Sequence, residues 1–438
     1  MQMPKVLIFG QPFNNRHGGG ITLSNLFKDW DKDRLAVAAS GHVMYNVTTD
    51  VCETYYQLGS KEYRWRFPFR YLQRKFHSGL LRIDRTGNAE SGNKELGLRY
   101  YFVNSIFYPA LEWLGIYHCA AVYSMSDQFK TWLKDYNPQI LYLQVSSYDT
   151  IVFARQLQNF LEIPSVLHMM DDWPSTISQK GPFRKVWEKK IDRELRSLMD
   201  KSSLLLSISD AMSDEYFRRY NKVFVPFHNP IDTKVWAEKR KLTYSFKDKI
   251  VRILYSGRIG PGITDSLVEI AETLDEIAIP GITLKFHIQS PSANPEIIKS
   301  LLKFQCTVLN PIADYSELPE IYSNADILLI ANDFDQKGLA FLLYSMPTKA
   351  SEYMISGTPV LVYSPSLTAV SKFFSQNECG CCVTDKNRTT LKQSITNLVT
   401  NEEYRKSLGN KANMLAIELF NAELVRSKFH HLLTSLLR

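Results

Sequence analysis

Lys349 and Glu352 stand three residues apart in the segment YSMPTKASEYMISGTPVLVYS (344–364). The segment predicts a turn over 345–348 and a helix from near Lys349, with Thr348 as its cap. Gly357 ends that helix and Pro359 opens a strand. A helix start offers free backbone N–H groups and the positive end of a dipole, so it attracts an anion. Lys349 adds a full charge there. Glu352 lies one turn on, about 5 Å of rise away, where a carboxylate can accept both hydrogen bonds of a ribose diol. A helix used only for packing has no need of this pair. In SGRIGPG (256–262), Gly257 and Arg258 follow an apolar run, and a guanidinium at that place can grip a diphosphate bidentately.

Two further groups read as chemistry. HMMDDWP (168–174) carries His168, Asp171 and Asp172 at the end of an apolar run. His168 can hydrogen-bond a sugar hydroxyl, and either aspartate can hold an acceptor hydroxyl. The packing alternative is Asp172 as a helix cap with Pro174 in the first turn, and His168 satisfied in the core. HGGG (17–20) places Gly18, Gly19 and Gly20 where the backbone can come close to a phosphate or sugar; a tight turn without a ligand is the alternative. The pattern is not GxGxxG and no ribose-binding acid stands in its usual place. That argues against a nicotinamide dehydrogenase.

Such groups need the carboxyl ends of parallel strands beside them. KVLIFG (5–10) predicts a buried parallel strand, the glycines a loop, and ITLSNLFKDW (21–30) a helix. Further strands are predicted in RLAVAAS (34–40), QILYLQV (139–145), IPSVLHM (163–169) and SSLLLSIS (202–209). Helices are predicted over 131–137 and over 183–199, the latter repeating Val186, Trp187, Ile191, Leu195 and Leu198. The polar stretch 237–250 reads as an interdomain connection. A second series follows: VRILYSG (251–257), a helix over 266–277, ITLKFHI (282–288), CTVLNP (306–311), ADILLIA (325–331) and TPVLVYS (358–364). The alternation predicts an α/β protein of two Rossmann-like domains, 1–235 and 236–420, with parallel sheets facing across a cleft. An amphipathic helix over 421–438, with Leu424, Phe429, Leu432, Leu433 and Leu436 near one face, is expected to cross back. A length of 438 residues fits two cores better than one.

Composition excludes disorder, with 45% hydrophobic and 22% charged residues. A net charge of +7 is too small to imply nucleic acid, and fits an anionic substrate or membrane surface equally well. Cys379, Cys381 and Cys382 cluster as CGCC, but no second ligand pair lies at suitable spacing, so no metal is expected. With Cys52, Cys119 and Cys306 they read as reduced thiols of a cytoplasmic protein. No run is apolar enough for a signal peptide or a membrane span. The stretch 61–85 holds eight basic residues against Glu62 and Asp84, interleaved with Tyr63, Trp65, Phe67, Phe69, Tyr71 and Phe76. It suits an anionic membrane surface on the inner face; a basic loop with its aromatics packed inward is the alternative.

PTKASEYMISGTPVLV resembles the donor-binding signature of retaining GT-B glycosyltransferases of family 4. KVLIFG with HGGG, SVLHMMDDWP, SISDAMSDEYFRRY, HNPIDTKVW, ILYSGRIG and YSELPEIYSNADILLI resemble other parts of that family in the same order. The resemblance implies a nucleotide-diphosphate sugar donor of UDP or GDP type in the C-terminal domain. It implies a saccharide or lipid-linked acceptor in the N-terminal domain, retention at the anomeric carbon, and no metal or other cofactor. Carried over, Arg258 and Lys349 hold the diphosphate and Glu352 the ribose, with Gly257, Tyr344 and Thr348 in the donor set. His168 meets the donor sugar, Asp171 joins it as a catalytic candidate, and Gly18 to Gly20 line the cleft. Two departures stand out. Tyr344 occupies the position where many relatives have a glutamate, and GRIGPGITDS has no lysine after Arg258. A nonhydrolysing sugar-nucleotide epimerase of similar fold and a non-catalytic scaffold remain open alternatives.

Overall fold

Short runs of buried aliphatic residues become the strands of a computed structural model. It describes residues 2–14, 18–45, 47–67, 69–71, 73–81, 107–115, 117–175, 181–290, 294–335, 339–340 and 342–438. The chain divides into two units, Met1–Phe227 with Lys428–Arg438, and His228–Ser427.

The first unit holds β1 (Val6–Phe9), β2 (Leu35–Ser40), β3 (Thr54–Leu58), β4 (Tyr63–Trp65), β5 (Gly79–Leu80), β6 (Ala121–Tyr123), β7 (Ile140–Leu143), β8 (Ser165–Met169), β9 (Leu204–Ser207) and β10 (Val225–Pro226). Among the described residues its main sheet has the order β10-β9-β8-β7-β1-β2-β3-β5. All neighbours are parallel except β3 and β5. β1 lies in the middle, with Val6 opposite Leu35 on one side and Ile140 on the other. β4 and β6 form a separate antiparallel pair. The second unit holds β11 (Ile250–Ser256), β12 (Thr283–Gln289), β13 (Thr307–Leu309), β14 (Ile327–Ala331), β15 (Val360–Tyr363) and β16 (Cys381–Val383). Its sheet is wholly parallel, in the order β13-β12-β11-β14-β15-β16.

Successive side chains of a strand face opposite ways, and here both faces are covered. Ile253, Tyr255, Ile327, Leu329, Leu361 and Tyr363 enter one core. Their neighbours Leu254, Leu328, Ile330, Val360 and Val362 enter another. This double burial is why the strands read as unbroken apolar runs.

Several expectations change. The units break at 227/228 and 427/428 rather than at 235/236 and 420/421. The cause is that 228–250 is anchored in the second unit. Ile231 N donates to Phe420 O at 2.8 Å, Lys241 N to Ser356 O at 2.8 Å, and the buried Tyr244 hydroxyl to Gly357 O at 2.9 Å. Stretch 237–250 is therefore packed chain, not a free connection. The helix Ala422–Ser435 has residues in both units. Phe429 and Leu433 are fully buried, with the Phe429 ring 5.0 Å from Phe27 and 5.4 Å from Phe227. Leu424, expected on the same face, is exposed. So is Val186, while Trp187, Ile191, Leu195, Leu198 and Met199 form the buried face of the helix Arg184–Lys201. CGCC leads into the edge strand β16, and Cys379 and Cys381 are buried. Among the described residues no group of three His, Cys, Asp or Glu is placed to hold a metal ion.

The helix Glu402–Leu419 packs on the helix Thr348–Ser356 through Gly409. A Cβ at Gly409 would lie 2.1 Å from Gly357 O. Gly409→Ala is expected to cost about 1–3 kcal/mol of stability by overpacking, read as a lower midpoint in urea. An unchanged midpoint would show that the two helices do not press together there.

Candidate functional site

In the second unit the helix Thr348–Ser356 begins without a side-chain cap. Pro347 is its N-cap residue, and Thr348, expected as the cap, is the first helical residue instead. Proline has no side-chain acceptor, so the first amides remain for solvent or a ligand to satisfy. Tyr344 is half-buried in the bend before the helix.

β11 leads directly to this helix start. Gly257 follows it with φ +147°, a conformation that favours glycine. A Cβ on Gly257 would lie 3.1 Å from Lys349 Nζ. That ammonium lies 3.8 Å from the centre of the Tyr255 ring, a cation–π contact. The hydroxyl of the same Tyr255 donates to Arg258 O at 2.6 Å. One tyrosine thus supports both the lysine and the loop carrying the arginine. Arg258 is exposed and its Nη1 donates to Pro261 O at 3.3 Å. Burial, then the nearby Arg258, lower the Lys349 pKa to about 7, with Glu352 acting the other way.

Glu352 is 4% exposed. Burial raises its pKa to about 8, against a hydrogen bond from the Tyr315 side chain and the charge of Lys349. Its Oε1 has no hydrogen-bond partner among the described residues. Such a buried unpaired oxygen costs about 1–3 kcal/mol, which a bound hydroxyl would offset.

The helix is locked to β11 by tyrosines that the sequence reading did not single out. Tyr353 Oη accepts from Ser256 N at 3.0 Å and donates to Ser256 O at 3.3 Å. Tyr322 donates to Ser256 Oγ at 3.2 Å, and Ser256 Oγ donates to Gln289 Oε1 at 3.2 Å. The two tyrosine rings meet edge to face at 4.9 Å. The signal available was Tyr353 directly after Glu352 and Tyr255 directly before SGR, but spacing alone does not tell a bracket from a core residue. The structure therefore brings Gly257, Arg258, Lys349 and Glu352 to one place.

In the first unit Gly18, Gly19 and Gly20 form the first turn of the helix Gly18–Phe27, not a loop ahead of it. A Cβ on Gly20 would overlap Asn14 Nδ2 at 1.9 Å, and one on Gly19 would lie 3.7 Å from Met170 Sδ. The helix start and the end of β8 are therefore adjacent. Gly10, at φ +105°, lets β1 turn against Gln144 O, which a Cβ would approach to 2.0 Å.

His168 is 1% exposed. Its Nδ1 shares a hydrogen bond with the Tyr142 hydroxyl, while Nε2 has no partner in hydrogen-bond geometry among the described residues. Burial lowers its pKa to about 3, with the Ser207 backbone acting in the other direction, so the ring is neutral. Asp172 is fully buried and its oxygens are occupied. Arg219 grips it at 3.0 and 2.7 Å, Tyr216 Oη donates at 3.0 Å and Ser175 Oγ at 2.6 Å. That leaves no room for an acceptor hydroxyl, so Asp172 is a structural anchor. Asp171 is half-exposed at the strand end. A groove lined by Met3, Gln139, His430 and Leu437 opens at the amino-terminal edge of this sheet and contains none of the candidate residues.

Residues 295–414 match the family model of the glycosyl transferases group 1. No curated protein matches the chain by sequence. Among solved structures, the Anabaena protein HepE in complex with UDP and glucose is 12% identical over 99% of this chain and 100% of that one, with a TM-score of 0.61. Sucrose-phosphate synthase of Thermosynechococcus elongatus is 12% identical over 99% and 98%, also at 0.61. A glycosyltransferase of Rickettsia africae is 12% identical over 99% of each chain, at 0.59. The chain has the α/β fold of these proteins, known as GT-B.

The environment of Lys349 and Glu352 sets a pH dependence. An anion that needs Lys349 charged must bind with proton uptake above about pH 7, and ionised Glu352 adds repulsion above about pH 8. Nucleoside-diphosphate affinity is expected to fall as pH rises across this window. Calorimetry in buffers of different ionisation enthalpy reads the uptake, and a flat profile would refute the assignment.

Proposed function

We propose that this chain is a glycosyltransferase. It moves a sugar from a nucleotide-diphosphate donor of UDP or GDP type to a saccharide or lipid-linked acceptor, with retention and without a metal. We place it in surface polysaccharide or glycolipid assembly, in the cytoplasm at the inner face of the membrane. The observation that carries the reading is the uncapped helix start with Lys349 beside it and the unpaired, buried Oε1 of Glu352 one turn on. The group 1 family match over the same segment supports it, as does a GT-B neighbour that binds UDP and glucose.

In this reading Lys349, Arg258 and the helix amides hold the diphosphate. They stabilise the charge that develops on it as it leaves, a task other enzymes give to a divalent ion. Glu352 meets the ribose hydroxyls through Oε1. Gly257 allows the close approach, with Tyr344 and Thr348 flanking the donor. Asp171 holds the acceptor hydroxyl at its strand end, beside the helix start of Gly18 to Gly20. His168 contacts the donor sugar near the reacting carbon and, being neutral, does so as a hydrogen-bonding group rather than a charge.

A thermal-shift series with nucleotides and nucleotide sugars tests the donor, since a ligand that binds only the native state raises the melting temperature. Lys349→Ala is expected to weaken donor binding by about 2–3 kcal/mol, the loss of a charge-assisted contact. Chelators should leave turnover unchanged. His168→Ala and Asp171→Ala should depress turnover and spare nucleotide binding; parental activity in both would remove the assigned reaction centre. Isomerisation of donor alone would establish the epimerase instead, and absence of any nucleotide binding the scaffold.

A further inference from the structure

The stretch 61–85 divides where the structure describes it. Tyr63 and Trp65 turn inward, Tyr63 packing 4.7 Å from the Tyr123 ring and Trp65 buried. Phe67 and Tyr71 turn out, 73% and 69% exposed. Arg70 lies by both, its guanidinium 5.9 Å from the Phe67 ring and 5.0 Å from the Tyr71 ring. Residues 82–85 lie outside the described chain.

The outward patch continues beyond this turn. The Phe107 ring lies 5.6 Å from Phe69 and 6.4 Å from Trp65. It leads into the helix Tyr108–Trp113, where Trp113 is 56% exposed. Gly181 abuts that residue, since a Cβ on it would lie 1.9 Å from Trp113 O. The next residues show Phe183 and Val186 to solvent. Three stretches of the first unit, distant in sequence, thus meet here, and each exposes large apolar side chains.

Within 61–81 the exposed charge of the described residues is basic, while the helix Tyr108–Trp113 carries Glu112 and the helix after Phe183 carries Glu188, paired with Arg184. Lys61, Arg64, Arg66, Arg70, Arg74 and Lys75 are exposed, and none forms an ion pair among the described residues. Glu62, the sole acid between 61 and 83, is buried and accepts from Gly59 N at 3.1 Å and from the Ser126 hydroxyl. Exposed rings next to arginines with no ion pair among the described residues match a lipid headgroup layer: rings rest at the boundary with the chains, and guanidinium groups rest on phosphates.

We propose that this face docks on an anionic phospholipid surface, with Phe67, Tyr71 and Trp113 entering the headgroup layer and Arg64, Arg66 and Arg70 on its phosphates. Docking rests on these residues alone and stands or falls apart from the transferase reading. It gives the inner-face placement a specific contact surface.

The test is flotation of the full chain with vesicles of phosphatidylcholine alone, and of phosphatidylcholine with phosphatidylglycerol, at low and high salt and with no sugar substrate present. Binding is expected only to the anionic vesicles, and salt should weaken it. A basic residue near such a surface contributes about 1 kcal/mol, or about fivefold. Arg66→Glu with Arg70→Glu should therefore lower affinity about 25-fold or more. Phe67→Ala with Tyr71→Ala, both at exposed positions, should weaken binding and leave the melting temperature unchanged. Equal binding to neutral vesicles, binding to neither, or parental binding by both double variants would overturn the proposal. Binding to neither would leave an acidic protein surface as the partner to seek.

Discussion

Everything at the second unit's strand ends depends on how one helix is held. The helix Thr348–Ser356 could carry Lys349 and Glu352 to many places; two tyrosines restrict it to one. Tyr353 clamps both backbone groups of Ser256, and Tyr255 supports Lys349 with its ring and the Arg258 loop with its hydroxyl. These contacts are buried and short, so they keep the angle between helix start and strand end. The same contacts hold Arg258 near Lys349, where it lowers the lysine's pKa second to burial.

Much of this was legible from residue order. Parallel strands buried on both faces have no polar alternation to hide them, so β1, β2, β7, β8, β9 and most of the second sheet stood out as apolar runs. The Lys–Glu spacing on a helix and the Gly–Arg pair after a strand also pointed to their places, because each rests on local geometry. What escaped reading is what long-range packing decides. Residue order leaves Asp172 open between an acceptor-holding acid and a helix cap; Arg219, 47 residues away, decides by gripping it. Stretch 237–250 looked like a linker because its surface is charged, yet Tyr244 and the Lys241 backbone tie it to the turn after the Thr348 helix. The glycines at 18–20 read as a loop because they lie between an apolar strand and an apolar helix, yet they form the first turn of that helix, where a Cβ on Gly20 would overlap Asn14.

The two aspartates after β8 illustrate how adjacent identical residues take different work. Asp172 is consumed by four donors and holds helix Asp210–Tyr220 to the strand end. Asp171, one residue earlier, stays half-exposed. Anchoring the second fixes the backbone beside the first. His168 is fixed from below in the same way by Tyr142.

The chain passes out of the first unit at Phe227 and returns to it only at Lys428. The core around Phe27, Tyr142 and Phe227 is completed by Phe429. During synthesis that ring emerges after the whole of the second unit. Until then the amino-terminal half lacks one side of its apolar core, while the later half lies in one continuous stretch, 228–427. Domains usually fold in the order in which they are translated; here the last to close is the first to be made.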